Sequence, residues 1–268
     1  MQIDSTSVWS DVRAIKTTSP LIHNITNYVV MESSANGLLA IGASPFMAHA
    51  IEEIKDITKN ADALVINLGT LSSSWIPSIL VALKTASFKK IPVILDPVGI
   101  GATTYRTHIT HTILSQGKIS IIRGNTSEIS WLAGGHRPPK GVDSLLVTTD
   151  CRDQAKLVAL THHCIVWMSG VIDIVTDGTY TIYIHNGHPL MSKVTGMGCM
   201  ATALAGAFTA VNQQTLVACA HTAILMGITG EIASENCKGP GTFKLKFIDA
   251  LYHLSLDQIE KFIRVEIL

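Results

Sequence analysis

Val194-Thr195-Gly196-Met197-Gly198-Cys199-Met200-Ala201-Thr202-Ala203-Leu204-Ala205-Gly206-Ala207-Phe208 places two glycines one residue apart before an alanine- and leucine-rich run. The glycines let the backbone turn closely around a bound group, and the run behind them is built to be a helix. A helix start carries unpaired N–H groups and the positive end of the macrodipole, so this turn is a place to hold an anion. Cys199 falls on that first turn, where the same field favours a thiolate. Gly-Met-Gly-Cys-Met-Ala also satisfies the dinucleotide-binding pattern. That fold, however, needs the motif after an early strand and an acidic residue about 20 positions further on. Here the motif lies late, and no carboxylate occurs between Gly196 and Glu231.

Working outward, the chain alternates apolar runs with helical segments. A short amphipathic helix over 4–17 leads to Pro20, and a first strand runs over 21–27, ending in the polar His23, Asn24 and Asn27. Polar residues at the carboxyl end of a strand are where open α/β sheets place ligands, but a strand-end Asn also caps the next helix, and both roles are open. A helix through Ala40 is closed by Gly42, and residues 42–47 read as a turn carrying Met47, either a flexible pocket wall or a core side chain. Ala63-Leu64-Val65-Ile66-Asn67-Leu68-Gly69-Thr70 and Ile91-Pro92-Val93-Ile94-Leu95-Asp96-Pro97-Val98-Gly99 are the continuous apolar runs of strands covered on both faces. A fourth strand, 119–123, opens into Gly124-Asn125-Thr126-Ser127-Glu128.

Two strands thereby bring Asp96, Arg123 and Glu128 to one sheet edge. Two carboxylates and a guanidinium there suit a Mg²⁺-nucleotide, while Glu128 fits equally well as a capping-box residue. Residues 134–140 read as a surface loop and 153–162 as a helix. His162-His163-Cys164 reads as a helix end running into a strand at 165–168, because three adjacent residues cannot face one ion from a strand. Residues 173–175 and 180–184 pair as a hairpin across Asp177-Gly178. The remainder reads as all helix. The fold class is therefore α/β, a mostly parallel central sheet with helices on both faces, in a single domain over 1–268.

Of the 268 residues, 47% are hydrophobic and 15% charged, and twenty basic residues balance twenty acidic ones. This argues against any broad attraction to nucleic acid or anionic membrane. The first twenty residues lack the apolar core of a secretory signal, and a cytoplasmic protein is expected. Residues 194–230 carry no charge, yet Asn212-Gln213-Gln214-Thr215 divides them into two packed helices and argues against a membrane span. Five cysteines without a Cys-x-x-Cys pair argue against both a disulfide framework and a zinc site. Gly117-Lys118 lacks the upstream glycine of a Walker loop.

Taken together, Ile25-Thr26-Asn27, residues 35–40, Gly42-Ala43-Ser44-Pro45, Leu95-Asp96-Pro97-Val98-Gly99, Arg123-Gly124-Asn125, Gly141-Val142-Asp143-Ser144 and Thr195-Gly196-x-Gly198-Cys199 resemble the hydroxyethylthiazole kinase family along nearly the whole chain. The resemblance implies a three-layer ribokinase-like fold and ATP-dependent phosphorylation of hydroxyethylthiazole in thiamine salvage. It implies Arg123 and Ser169 as ATP-binding residues, and Met47 and the Gly196 backbone at the thiazole, to which the strand-end pocket candidate Asn27 is added as a substrate-binding residue. It further implies Asp96 and Glu128 in a Mg²⁺-phosphate network, and a homotrimer with active sites at subunit boundaries. Cys199 and Gly198 fall at the catalytic turn, Cys199 where related sugar kinases carry an aspartate. Its role is either to take the hydroxyl proton or to line a turn that works by orientation and charge. The chain departs from the family pattern at Ser169-Gly170-Val171, Met197 and residues 27–34, where Tyr28 and Glu32 stand. A thiol hydrolase using Cys199 with a histidine base, and a non-catalytic thiazole or nucleotide binder, are the competing classes.

Overall fold

The computed structural model describes residues 2–135 and 149–268. The predicted loop at 134–140 lies outside the described residues from 136 on, as does the Gly141–Ser144 segment. Eleven α-helices are described: α1 Ser5–Thr18, α2 Met31–Ile41, α3 Ile54–Asn60, α4 Ile76–Lys89, α5 Thr104–Gln116, α6 Thr126–Leu132, α7 Thr149–His162, α8 Met197–Val211, α9 Thr215–Ser234, α10 Pro240–His253 and α11 Leu256–Phe262. The strands are β1 Leu21–Ile25, β2 Ser44–Met47, β3 Ala63–Asn67, β4 Val93–Asp96, β5 Ile121–Asn125, β6 Ile165–Ser169, β7 Asp173–Thr176, β8 Thr181–Ile184 and β9 Val265–Ile267.

They form one sheet in the order β2-β1-β3-β4-β5-β6-β7-β8-β9. Pairing is parallel from β2 through β6 and antiparallel from β6 through β9. Side chains alternate across each strand and divide the interior into two cores. Val65, Ile94, Ile121 and Trp167 face α1, α2, α8, α9 and α10, while Leu64, Ile66, Leu95 and Ile122 face α4, α5 and α7. This is the expected three-layer arrangement.

Local chemistry sets the helix boundaries. Asp4, Asn125 and Ser255 close capping boxes, and Thr103 caps α5. The α9 helix is apolar and long enough to cross a membrane, but 83% of its most apolar window is buried in the protein. A polar staple holds α1 against it: Ser7 Oγ lies 3.2 Å from His221 Nε2, and His221 Nδ1 lies 2.7 Å from Asp11 Oδ2.

Three expectations are corrected. Residues 44–47 are not a turn but the edge strand β2, where Pro45 is tolerated because an edge strand need not use every amide. The carboxyl region is not all helix: β9, three residues long, pairs with β8. His23 is no pocket residue. It is fully buried, with Nδ1 3.0 Å from Thr58 Oγ1 and Nε2 3.1 Å from the Ala48 carbonyl oxygen, and burial lowers its pKa to about 4.

Candidate active site at the carboxyl edge of the sheet

Because β1 through β6 run parallel, their carboxyl ends fall on one side of the sheet. Asn27 follows β1, Met47 ends β2, Asn67 ends β3, Asp96 ends β4, Arg123 lies in β5 and Ser169 ends β6. The α8 helix begins against the same edge. Its N-cap Gly196 takes φ +92°, a left-handed conformation that favours glycine, and no side chain caps it. The Met197, Gly198 and Cys199 amides at this start are the unpaired donors that the sequence predicts for an anion.

Gly198 is called for by a different constraint, close approach. A Cβ there would collide with the guanidinium of Arg123, its Cζ and Nη2 both 3.1 Å away. The guanidinium thus lies directly on the helix start. Arg123 Nη2 donates to Ser169 Oγ at 2.7 Å, and the group sits 5.5 Å from the centre of the Trp167 ring, within reach of a cation–π attraction. Arg123 Nε is buried without a partner among the described residues. An unspent buried donor beside open helix amides is what an incoming phosphate would use.

Asp96 is buried in the same cluster. Its Oδ2 accepts from Asn67 Nδ2 at 2.7 Å and from Thr202 Oγ1 at 2.8 Å, whereas Oδ1 has no partner among the described residues. Burial pushes its pKa up to about 7; the Arg123 guanidinium opposes the shift and the Glu128 charge adds to it. Glu128 does form the capping box. Its Oε2 accepts from the Asn125 amide at 2.8 Å, and Oε1 accepts from the Gly99 amide at 2.9 Å. It therefore stitches α6 to the loop after β4 and keeps a negative charge close to Asp96.

The two predicted metal residues are close enough for their charges to interact, and the unpartnered Asp96 Oδ1 is the kind of hard oxygen a divalent cation takes. Among the described residues no cluster of three or more His, Cys, Asp or Glu could hold a metal ion.

Cys199 lies on the first turn of α8, as expected, but its chemistry is corrected. Burial, followed by the charge of Asp96, pushes its pKa up to about 11, against the direction read from the helix start. Its Sγ accepts from Asn27 Nδ2 at 3.5 Å, and the same amide nitrogen donates to Asn67 Oδ1 at 2.7 Å. An amide, not an imidazole, faces the sulfur, so the geometry of a thiol hydrolase is absent from these contacts. Met47 shares the edge, half-buried, but stands at β2, with β1 and β3 between it and Asp96.

Sequence reasoning missed three contributors. Asn67 ends an apolar strand just as Asp96 does, and that signal should have singled it out. Arg106 donates to the carbonyls of Leu68, Gly69 and Val98, the last at 2.7 Å, and so clamps the loops that follow β3 and β4. Asp173 supports the Arg123 side of the site.

The mostly parallel sheet covered by helices on both faces is the ribokinase-like fold. The pyridoxal kinase of Staphylococcus aureus, solved with AMP-PCP and pyridoxal, shares this fold, with a TM-score of 0.62 at 13% identity over 92% of this chain and 97% of that one. The chain itself belongs to the hydroxyethylthiazole kinase family, whose model matches residues 12–257. It is 47% identical over 247 residues to the hydroxyethylthiazole kinase of Desulfatibacillum aliphaticivorans, covering 92% of each. It is also similar to the solved hydroxyethylthiazole kinase protein from Pyrococcus horikoshii OT3, with a TM-score of 0.90 and 40% identity over 98% of this chain and 99% of that one.

Proposed function

We propose that the chain, as a single domain, transfers the terminal phosphoryl group of ATP to the hydroxyl of 4-methyl-5-(2-hydroxyethyl)thiazole, a step of thiamine salvage. The observation that carries this reading is the Arg123 guanidinium lying on the uncapped start of α8 beside the half-satisfied carboxylate of Asp96. Incubation with ATP, Mg²⁺ and hydroxyethylthiazole should yield ADP and the phosphorylated thiazole by mass spectrometry. ATP and the thiazole recovered unchanged would overturn it.

The residues divide the work. Arg123, held by Ser169, and the α8 amides neutralise charge on the phosphate as it moves, a task made effective by their fixed positions. Asn27, Met47 and the Gly196 backbone hold the thiazole. Asp96, with Glu128 behind it, would hold Mg²⁺, which when bound would supply positive charge to the triphosphate.

Cys199 orients the hydroxyl. With its pKa near 11 the thiol is ionised to only about one part in 10³–10⁴ near neutrality, too little to serve as a standing base. A loose phosphoryl-transfer transition state asks little of a base before the transfer is under way. Cys199→Ala is therefore expected to lower kcat by about tenfold to a hundredfold, leaving measurable activity and no covalent adduct. Cys199→Asp retains activity. The introduced carboxyl meets the same burial and the same Asp96 charge, so its rate should rise with pH through a midpoint above the usual aspartate range. An alanine variant as fast as the parent, or a phosphorylated sulfur, would refute the assignment.

The reading also carries a homotrimer. Sedimentation equilibrium should then report three times the 28.8 kDa chain mass, and a fully active monomer would refute it.

A further inference from the structure

We propose that Asp173 is a positioning residue for the nucleotide end of the site, acting on Arg123 through Trp167 and the Ser169-Gly170 turn. The inference rests on the reading of Arg123 as the ATP-binding side chain. Arg123 has two named side-chain supports: the Trp167 ring, whose centre lies 5.5 Å from the guanidinium, and the Ser169 hydroxyl at 2.7 Å. Both are tied to one carboxylate. Asp173 Oδ2 accepts from the Trp167 indole N–H at 2.8 Å, and Oδ1 accepts from the Gly170 amide at 2.9 Å.

The topology explains how one residue reaches both. Asp173 opens β7, which folds back antiparallel on β6 after a three-residue link, so its carboxyl closes the turn from below the strand end that carries Ser169. Burial raises its pKa, while the two N–H donors and the Arg123 charge favour the ionised form. The charge is felt by the guanidinium without an ion pair. Among the described residues no carboxylate stands within ion-pairing distance of Arg123, which leaves its free donors to a ligand. A direct Asp173–Arg123 pair would have spent those donors.

Val171, within the turn, is exposed and offers no polar group to hold it. Ser169 Oγ also donates to the Gly124 carbonyl oxygen at 3.4 Å, and Asp173 is the side chain that holds the Gly170 amide.

Asp173→Asn tests this with nearly unchanged shape. Both present partners are donors, and an amide offers only one acceptor, so one N–H must face another N–H. By equilibrium dialysis in the presence of Mg²⁺, ATP should bind about tenfold more weakly while hydroxyethylthiazole stays within about twofold of the parent, a split that general loosening would not produce. Trp167→Phe keeps a ring beneath Arg123 and removes only the indole N–H. It should weaken ATP several-fold, and in the Asp173→Asn background it should add little, because the two act in one chain.

If Asp173→Asn fails to fold, Trp167→Phe alone carries the test. A parental ATP affinity, an equal loss for both ligands, or fully additive single effects would each overturn the proposal. Arg123→Ala separates the levels. Unchanged ATP binding in that variant would sink the underlying reading, whereas weakened binding in it alone would sink only the role of Asp173.

Discussion

Asp96→Asn should lower turnover by about 10²–10³-fold while making the protein more stable. The activity loss follows from placing an amide N–H where the unpartnered Oδ1 now lies, the one oxygen left for a cation and its waters. The amide oxygen can still accept from both Asn67 and Thr202, so the architecture survives. The stability gain follows from the pKa. An aspartate moved from 3.8 to about 7 by burial binds its proton more tightly in the folded state than in the unfolded one, and its charge opposes folding. That cost is absent below pH 3.8, grows from there to 7, and is complete above 7, where it is on the order of a few kcal/mol. Melting temperatures measured without Mg²⁺ should show the variant leading the parent most at pH 8 and converging with it near pH 4. A variant less stable than the parent at pH 8, or one with an unchanged Mg²⁺ titration and rate, would contradict this assignment.

Gly198→Ala should be nearly as damaging as Gly198→Val, each lowering kcat/KM for ATP by roughly 10²-fold. The reasoning is steric and specific to the first carbon of the side chain, because the Cβ itself meets the Arg123 guanidinium, whatever lies beyond it. Alanine is otherwise the best residue for a helix interior, so the fold should be kept or slightly stabilised. The guanidinium must move off the helix start, and an anion held by both groups loses their alignment. Circular dichroism melts beside steady-state kinetics would separate the two effects. An alanine variant at the parental rate would mean that Arg123 does not act from the place where the structure puts it.

Some of this was legible because its cause is local. An apolar run ending in a carboxylate revealed both β4 and Asp96. Asn125 three residues before Glu128 revealed the start of α6. A glycine turn before an alanine-rich run revealed α8. Other features depend on what folding brings from far away. The acidity of Cys199 is not legible because the helix start is visible in the sequence, whereas the burial and the Asp96 charge that raise its pKa arrive through packing. Arg106 binds carbonyls 8 to 38 residues away, and carbonyls have no signature in a sequence. Asp173 looked like the first residue of a hairpin, which it is; its second task shows only when the indole of Trp167 is placed above it. β2 and β9 escaped because four and three residues are too few to establish an alternation.

Those two short strands are also the borders of the sheet, and they limit how copies of this chain can join. A neighbour extending the sheet would find four residues at one border, one of them Pro45 without an amide hydrogen, and three at the other, with the charged Glu266 at its centre. Neither offers a useful run of backbone hydrogen bonds. Copies that join would be expected to meet through side chains across faces, with each protomer keeping its own nine-stranded sheet.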